Sequence, residues 1–558
     1  MKRMTSLLLF LMITVASFSV PPTRIHQWEV YTISLKTSKN YQNPYAGIPV
    51  DGSEDLVKAI FTATEGDAAG KSITVKGFWY GGNEWRVNFS APATGKWRYE
   101  TFSPDKSLNG KKGNFSVIEW TAEEKAANPV RHGFVRVKKD GTNAGHYFEY
   151  SDGAPFLWVG DTWWNWTNNK IKLETFMQLV DDRSAKGFTV GQLFVPGNGW
   201  GRPSSLLDET YTILDTAHAS KVEAMIRYAN SKGITVWIHG WWSRENMNRN
   251  IGEEKVQRWW KYLVHRFSAY NVIWVLAGEY NMYNYGGFPL EFWNSVGRLI
   301  KKEDPYERIT GVHNTPPFWD GGAAAPQWGT GEVIHNESWL DYNQAQVGHG
   351  KYANEMIPSV VSSQYALKPA KPIVVTEPWY EFIEGNPTGL DIRFAAWSAI
   401  LSGAAGHTYG GGHVWLASVP EAPGGGGTWP YEKGFERTTY DYEGAVSMKN
   451  LATFFSDKKF WEMAPHPELI REYPQPLCLA NPGNEYVIYL RYSGTAKLIM
   501  DEAAASKQYQ YQWFNPGTGK FYDMKKIKGS RLLSFSCPEG YPAVVDYKDW
   551  VLYVKSNE

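Results

Sequence analysis

Two apolar runs in this chain close on a glutamate: "VIWVLAGE" ends on Glu279 and "PIVVTE" on Glu377. Each run reads as a strand buried on both faces, where a carboxylate at the tip is costly unless it is paired or put to use. Two carboxylates facing each other across a cleft perform glycosidic bond cleavage. One, protonated, donates to the leaving oxygen, and the other, ionised, attacks or activates water. A hydrophobic surround that raises one pKa serves that division. The competing reading makes either acid a structural ion-pair partner, of Arg244 or Arg393 for example.

The residues closing the remaining apolar runs are Asp161, the Trp163–Trp164 pair, Asn198, His239 with Trp241 and Trp242, His313 with Asn314, Asp341 and His407. Among these, Asp161, Trp164, Asn198, His239, Trp242 and His407 are candidates to line a sugar site. Arg244 joins them, as do Trp379 and Tyr380 beside Glu377. Glu381 is placed equally well to pair with a base or to touch substrate. His239, His313, His407 and Asp341 are donors a metal would use, but no close pair of the HxH kind joins them, so neither metal nor cofactor is expected.

Tips that act together need a scaffold that gathers them. Between about Phe156 and Tyr409, strand-like runs alternate with helical patterns about eight times, the arithmetic of a (β/α)8 TIM barrel, an α/β fold whose chemistry sits at the C-terminal strand ends. By this count Glu279 and Glu377 end the fourth and seventh strands. Phe176, Leu179, Val180 and Arg183 recur at helical spacing before Gly187, and Val222, Met225, Ile226 and Ala229 before Gly233. A doubly wound open sheet is the alternative, weakened because no Gly-rich phosphate loop follows the first strand. Short alternating strands from about Trp28 to Trp120 predict an immunoglobulin-like β-sandwich, and the same style returns from about Pro465. The expected division is a leader at 1–20, an N-terminal β-sandwich at 21–125, the barrel at 126–460 and a C-terminal β-sandwich at 461–558. "APGGGGTWP", with Gly424 to Gly427, reads as a loop that could close over the cleft.

Composition narrows the ligand. Lys plus Arg and Asp plus Glu number 57 each, so no net charge draws the chain to nucleic acid or an anionic membrane. Trp numbers 27, more than cores need, and sugar rings are ligands that pack on indole. Lys2 and Arg3 followed by the apolar run Leu7 to Val15 and the small residues Ala16, Ser17 and Ser19 form a secretory signal, too short to span a bilayer. An exported protein, periplasmic or extracellular, without a membrane span is expected. Cys478 and Cys537 suit a disulfide or two buried thiols.

Four segments in order, "DGAPFLWVGDTWWNW", "DDRSAKGFTVGQ", "NVIWVLAGE" and "KPIVVTEPWYE", resemble the apiosidase-like glycoside hydrolases. In that family a β-sandwich commonly precedes the barrel and a so-called collagen-binding β-domain follows it. The resemblance implies a retaining mechanism with Glu279 as general acid/base and Glu377 as nucleophile. Characterised apiosidases carry Gly-Gly-Asp where this chain has Ala277-Gly278-Glu279, and the Asn that precedes the acid in many related barrels is missing. The expected function is secreted hydrolysis of plant or algal polysaccharide or its oligosaccharides. A carbohydrate-binding protein with a degenerate barrel is the alternative.

Overall fold

A computed structural model describes residues 23–196, 205–243, 251–282, 287–317, 327–383, 385–422, 440–538 and 548–557. Eight parallel strands form the central sheet: β1 (Trp158–Trp163), β2 (Val190–Phe194), β3 (Thr235–His239), β4 (Val272–Val275), β5 (Thr310–Gly311), β6 (Asn343–Gln346), β7 (Ile373–Glu377) and β8 (Gly406–Tyr409). Their order, β5-β4-β3-β2-β1-β8-β7-β6, is that of a barrel, with β8 returning to β1. At the seam, Asp341 N donates to Thr310 O at 3.0 Å. The nearly closed cylinder settles the architecture as a TIM barrel and not an open doubly wound sheet.

Inward side chains fill the cylinder below its mouth. Trp158 and Trp237 meet edge to face at 4.9 Å, Trp237 Nε1 donates to the Tyr342 hydroxyl at 2.7 Å, and Trp158 Nε1 donates to Thr408 Oγ1 at 3.1 Å. This plug leaves the C-terminal strand ends as the place where a ligand can enter. Outward residues pack on the helix layer as the sequence period requires. Helix Leu173–Ala185 buries Phe176, Leu179, Val180 and Arg183, and helix Thr216–Ser231 buries Val222, Met225, Ile226 and Ala229. Among the described residues no helix is long and apolar enough to cross a membrane.

Two β-sandwiches flank the barrel. In the first, a five-stranded and a three-stranded sheet enclose Tyr31, Ile33, Phe61, Phe89, Trp97 and Phe115. It docks on the barrel through a buried charge cluster in which Lys76 bonds Glu303 at 2.6 Å and Asp55 at 2.9 Å, while Lys261 reaches Asp55 at 3.1 Å. The second contains β9 (Glu485–Leu490), β10 (Gln508–Asn515), β11 (Lys525–Lys528) and β12 (Trp550–Ser556) in one sheet, side by side as β9-β12-β10-β11. Its apolar outer residues pack on barrel helix Gly389–Leu401 and on helix Glu443–Phe455, as in the Trp397–Tyr489 stack at 6.0 Å. Cys478 and Cys537 are both buried free thiols.

Candidate active site

Glu279 follows β4 at a point where the chain is held from both sides. Gly278 N donates to Trp241 O at 2.9 Å, Ser243 N to Gly278 O at 2.9 Å, and Tyr280 N to His313 O at 3.0 Å. Between these clamps Glu279 adopts φ +51°, a left-handed conformation that disfavours any residue with a Cβ and that clusters at functional sites. Gly278 must lack a side chain, because a Cβ there would lie 2.2 Å from Trp242 Cε3. The close approach lets Trp242 Nε1 donate to Glu279 Oε2 at 3.0 Å. The acid is 2% exposed and rests against an indole.

Glu377 owes its direction to an irregularity in β7. Val375 stands opposite Ala345, yet Glu377, two residues on, stands opposite Gln346, the very next residue of β6. Thr376 is the extra residue. Strict alternation would place Glu377 with Val375, whose side chain packs among the helices, and the bulge turns it to the mouth instead. There His313 Nε2 lies 3.0 Å from Glu377 Oε2, and His349 Nε2 3.3 Å from Oε1. The carboxylate accepts, so His313 Nε2 carries a hydrogen, and Nδ1 faces the Thr376 hydroxyl at 3.2 Å. Burial alone would raise the Glu377 pKa, but the hydrogen bonds and charge of the two histidines outweigh it and hold the carboxyl down at about 2. Glu377 is therefore ionised across the ordinary pH range.

Aromatic and imidazole rings join the two acids. Trp164 meets Trp242 at 5.1 Å, His239 at 4.7 Å and His313 at 6.0 Å, and Trp242 meets His313 at 6.1 Å. Trp164, Trp242, Trp379 and Tyr380 belong to one apolar cluster with Phe194, Ile383, Trp415 and Leu416. His239 pairs through Nε2 with Gln192 Nε2 at 3.1 Å, and since the amide donates, that nitrogen accepts. Burial and the nearby His313 keep the His239 pKa well below its usual range, so the ring is neutral. Tyr380 lies 4.7 Å from the His349 ring, and burial followed by the Glu377 charge pushes its hydroxyl pKa well up.

Several residues expected at the cleft lie elsewhere. Asp161 stands in register with Tyr409 and faces outward, where Arg183 Nε donates to its Oδ2 at 2.7 Å and Trp163 Nε1 at 2.8 Å. Burial raises its pKa and Arg183 opposes the rise. His407, opposite Val159, shares that outward parity. It is fully buried, and burial lowers its pKa to about 3. Asp341 precedes β6 and so sits at the far end of the barrel, paired with Lys301 and accepting from Thr310 N at 2.7 Å. His407 and Asp341 thus cannot join His239 and His313 around a common ligand. Among the described residues Glu381 pairs with no base: it accepts from the Tyr409 hydroxyl at 2.6 Å and from Gly444 N at 3.0 Å, at the start of helix Glu443–Phe455. Arg393 serves Asp549 and Glu443 and neither candidate acid. Asn198, Arg244 and the loop with Gly424 to Gly427 fall outside the described residues.

His349 was missed. It follows β6, whose residues Asn343–Gln346 carry no hydrophobic run, so in the sequence Asp341 reads as the strand tip instead. Placing the strand on "NQAQ" would have made His349 a tip residue.

Residues 142–462, the barrel with its lead-in strands, match the family described as "Apiosidase-like, catalytic domain". Residues 24–104 match a domain of unknown function, and residues 467–555 the "Putative collagen-binding domain of a collagenase". No curated protein matches the chain. Among solved structures, a protein described as a "putative glycoside hydrolase" from Bacteroides vulgatus superposes with a TM-score of 0.69 at 18% identity, over 96% of this chain and 99% of that one. A glycoside hydrolase family 5 protein from the same organism gives 0.64 at 19% identity, over 77% and 94%. These likenesses establish the three-part fold. With its catalytic-domain match covering more than half of its length, the chain belongs to the apiosidase-like family and is a glycosidase.

Proposed function

We propose that the protein is exported and cleaves plant or algal polysaccharide, or oligosaccharides derived from it, by a retaining mechanism. The observation that carries this reading is the unlike setting of the two acids. Glu377 is clamped as a carboxylate by two histidines, whereas Glu279 lies against the Trp242 indole. A carboxylate held ionised suits attack on an anomeric carbon, and a buried carboxyl beside an indole suits proton donation.

In the first step Glu279 gives its proton to the glycosidic oxygen as the C–O bond breaks, and a Glu377 oxygen bonds to the anomeric carbon. In the second, Glu279, now a carboxylate, takes a proton from water, whose oxygen displaces Glu377 and restores both acids. The Trp164, Trp242 and Trp379 rings offer apolar faces to the sugar, and neutral His239 offers a hydrogen-bonding group to its hydroxyls. Further rings stand at the rim: Tyr352, 64% exposed, lies 6.3 Å from Trp328, and Phe382, 42% exposed, lies 4.4 Å from Tyr442. They favour a substrate longer than one sugar. Export rests on the charged and apolar pattern of residues 1–20.

The test is sugar release from pectins, arabinans, xylans and algal polysaccharides by the intact protein and by Glu279→Gln and Glu377→Gln. Release that is lost in both variants supports the assignment. Unimpaired release by either variant removes that residue from its role. No release from any glycan, with tight binding to one, would favour a carbohydrate-binding protein.

A further inference from the structure

The outer face of the C-terminal sheet is divided. One half, with Val487, Tyr489, Phe514, Val551 and Tyr553, is buried against the barrel. The other half is open and carries lysine and glutamine. Register sets Glu485 on β9 opposite Lys555 on β12, Lys555 opposite Gln510 on β10, and Gln510 opposite Lys526 on β11, so the four form one row across the strands. Gln508 and Lys528 form a second, adjacent pair on the same face. Lys526, Lys528, Lys555 and Gln508 are exposed.

Among the described residues none of the three lysines makes an ion pair, while Glu485, at the end of the row, accepts the Tyr553 hydroxyl. The chain as a whole has no net charge, so this concentration is local. Lysines on an edge strand commonly guard against sheet-to-sheet aggregation. That explains Lys526 and Lys528 on β11, but not Lys555, which lies on β12 between β9 and β10.

We propose that this face binds an extended polysaccharide bearing carboxylates, a uronic-acid chain, and holds it on the same molecule as the barrel. Strands lie ~4.8 Å apart and same-face residues on one strand ~7 Å apart, spacings comparable to a sugar unit. Lys526 and Lys528 stand ~7 Å apart along β11 and Lys555 stands two strands, ~10 Å, from Lys526, intervals of one to two sugar units at which they meet carboxylates of one chain, and the glutamine amides meet hydroxyls between them. Among the described residues the face carries no arginine, the residue that would favour bidentate capture of sulfate or phosphate. This site is separate from the barrel mouth and does not depend on which bond the barrel cleaves.

The experiment measures binding of full-length Glu377→Gln protein, whose substitution lies outside this face, to polygalacturonate, to its fully methyl-esterified form and to a sulfated galactan. The expected result is binding to polygalacturonate that weakens with salt, falls roughly tenfold or more in Lys526→Gln/Lys528→Gln/Lys555→Gln, and is absent from the uncharged ester. An unchanged melting temperature in the triple variant assigns the loss to the face. Equal binding of the ester, preference for the sulfated galactan, unchanged binding by the triple variant or no binding at all would each overturn the proposal. Failure here leaves hydrolysis by the barrel to be judged separately, and the reverse also holds.

Discussion

His313 Nε2 stands 3.0 Å from Glu377 Oε2 while its Nδ1 faces the hydroxyl of Thr376, the extra residue of the β7 bulge. The bulge that aims the carboxylate therefore also supplies a hydroxyl that holds its partner's ring. Replacing His313 by Ala removes both the hydrogen bond and a ring that meets Trp164 and Trp242. A misplaced reacting group costs roughly 100-fold. We expect His313→Ala to lower kcat by about that factor with a smaller change in KM, measured on whichever glycan the intact protein cleaves. An unaltered kcat would show that Glu377 needs no such support.

The same contacts make stability depend on acid. Glu377 titrates at about 2 in the folded chain, below the ordinary 4.5 of a glutamate, so its contribution is fully present above that ordinary value and is lost as pH falls towards 2. The difference corresponds to about 3 kcal/mol. Glu377→Gln should lose less stability than the parent between pH about 5 and 2, as read from melting temperature against pH. Parallel curves would mean that the carboxylate is not held down.

Gly278 offers a steric test of the Glu279 site. A methyl group there meets the Trp242 ring at 2.2 Å, and neither the clamped backbone nor the packed indole can yield cheaply. Gly278→Ala should cost about 1–3 kcal/mol and displace the indole that bonds Glu279. Near-parental stability and activity in this variant would indicate that Trp242 has room to move.

The barrel was legible because a parallel strand buried on both faces must be a continuous apolar run, and the polar residue ending such a run marks its tip. This brought Glu279, Glu377, His239 and Trp242 into view. It hid which way each side chain points, since a strand apolar on both faces shows no alternation. Asp161 and His407 therefore looked like tip residues although parity turns them outward. It also failed at β6, where "NQAQ" has no apolar run, and at the β7 bulge, which depends on pairing with β6 and leaves no mark in the sequence. The flanking sandwiches were readable for the opposite reason, because sheets with one covered face alternate.

The backbone of Glu279 tests whether function or stability chose this residue. At φ +51° any side chain bears a steric cost that glycine avoids, of order ~1 kcal/mol. Denaturant unfolding should find Glu279→Gly more stable than Glu279→Ala by about that amount, with both inactive. If alanine proves the more stable, the left-handed conformation is not a strain retained for catalysis.

Asp161 and Arg183 provide the last test, in which stability and catalysis should part. Both side chains are fully buried, the guanidinium bonds the carboxylate at 2.7 Å, and the pair sits between β1 and its helix on the side of the strand away from the cleft. Replacing Asp161 removes one of the two carboxylates that meet the buried guanidinium, Asp182 being the other, and leaves a buried charged donor without its partner, which costs about 1–3 kcal/mol. Asp161→Asn should therefore unfold at markedly lower denaturant concentration. Below its transition, however, its kcat and KM should match the parent's, because nothing in contact with substrate has moved. A large rise in KM with stability unchanged would return Asp161 to the sugar site where its sequence position first placed it. If the expected split is found, the parity of β1 stands, and the catalytic surface is confined to the inward residues and the tips beyond them.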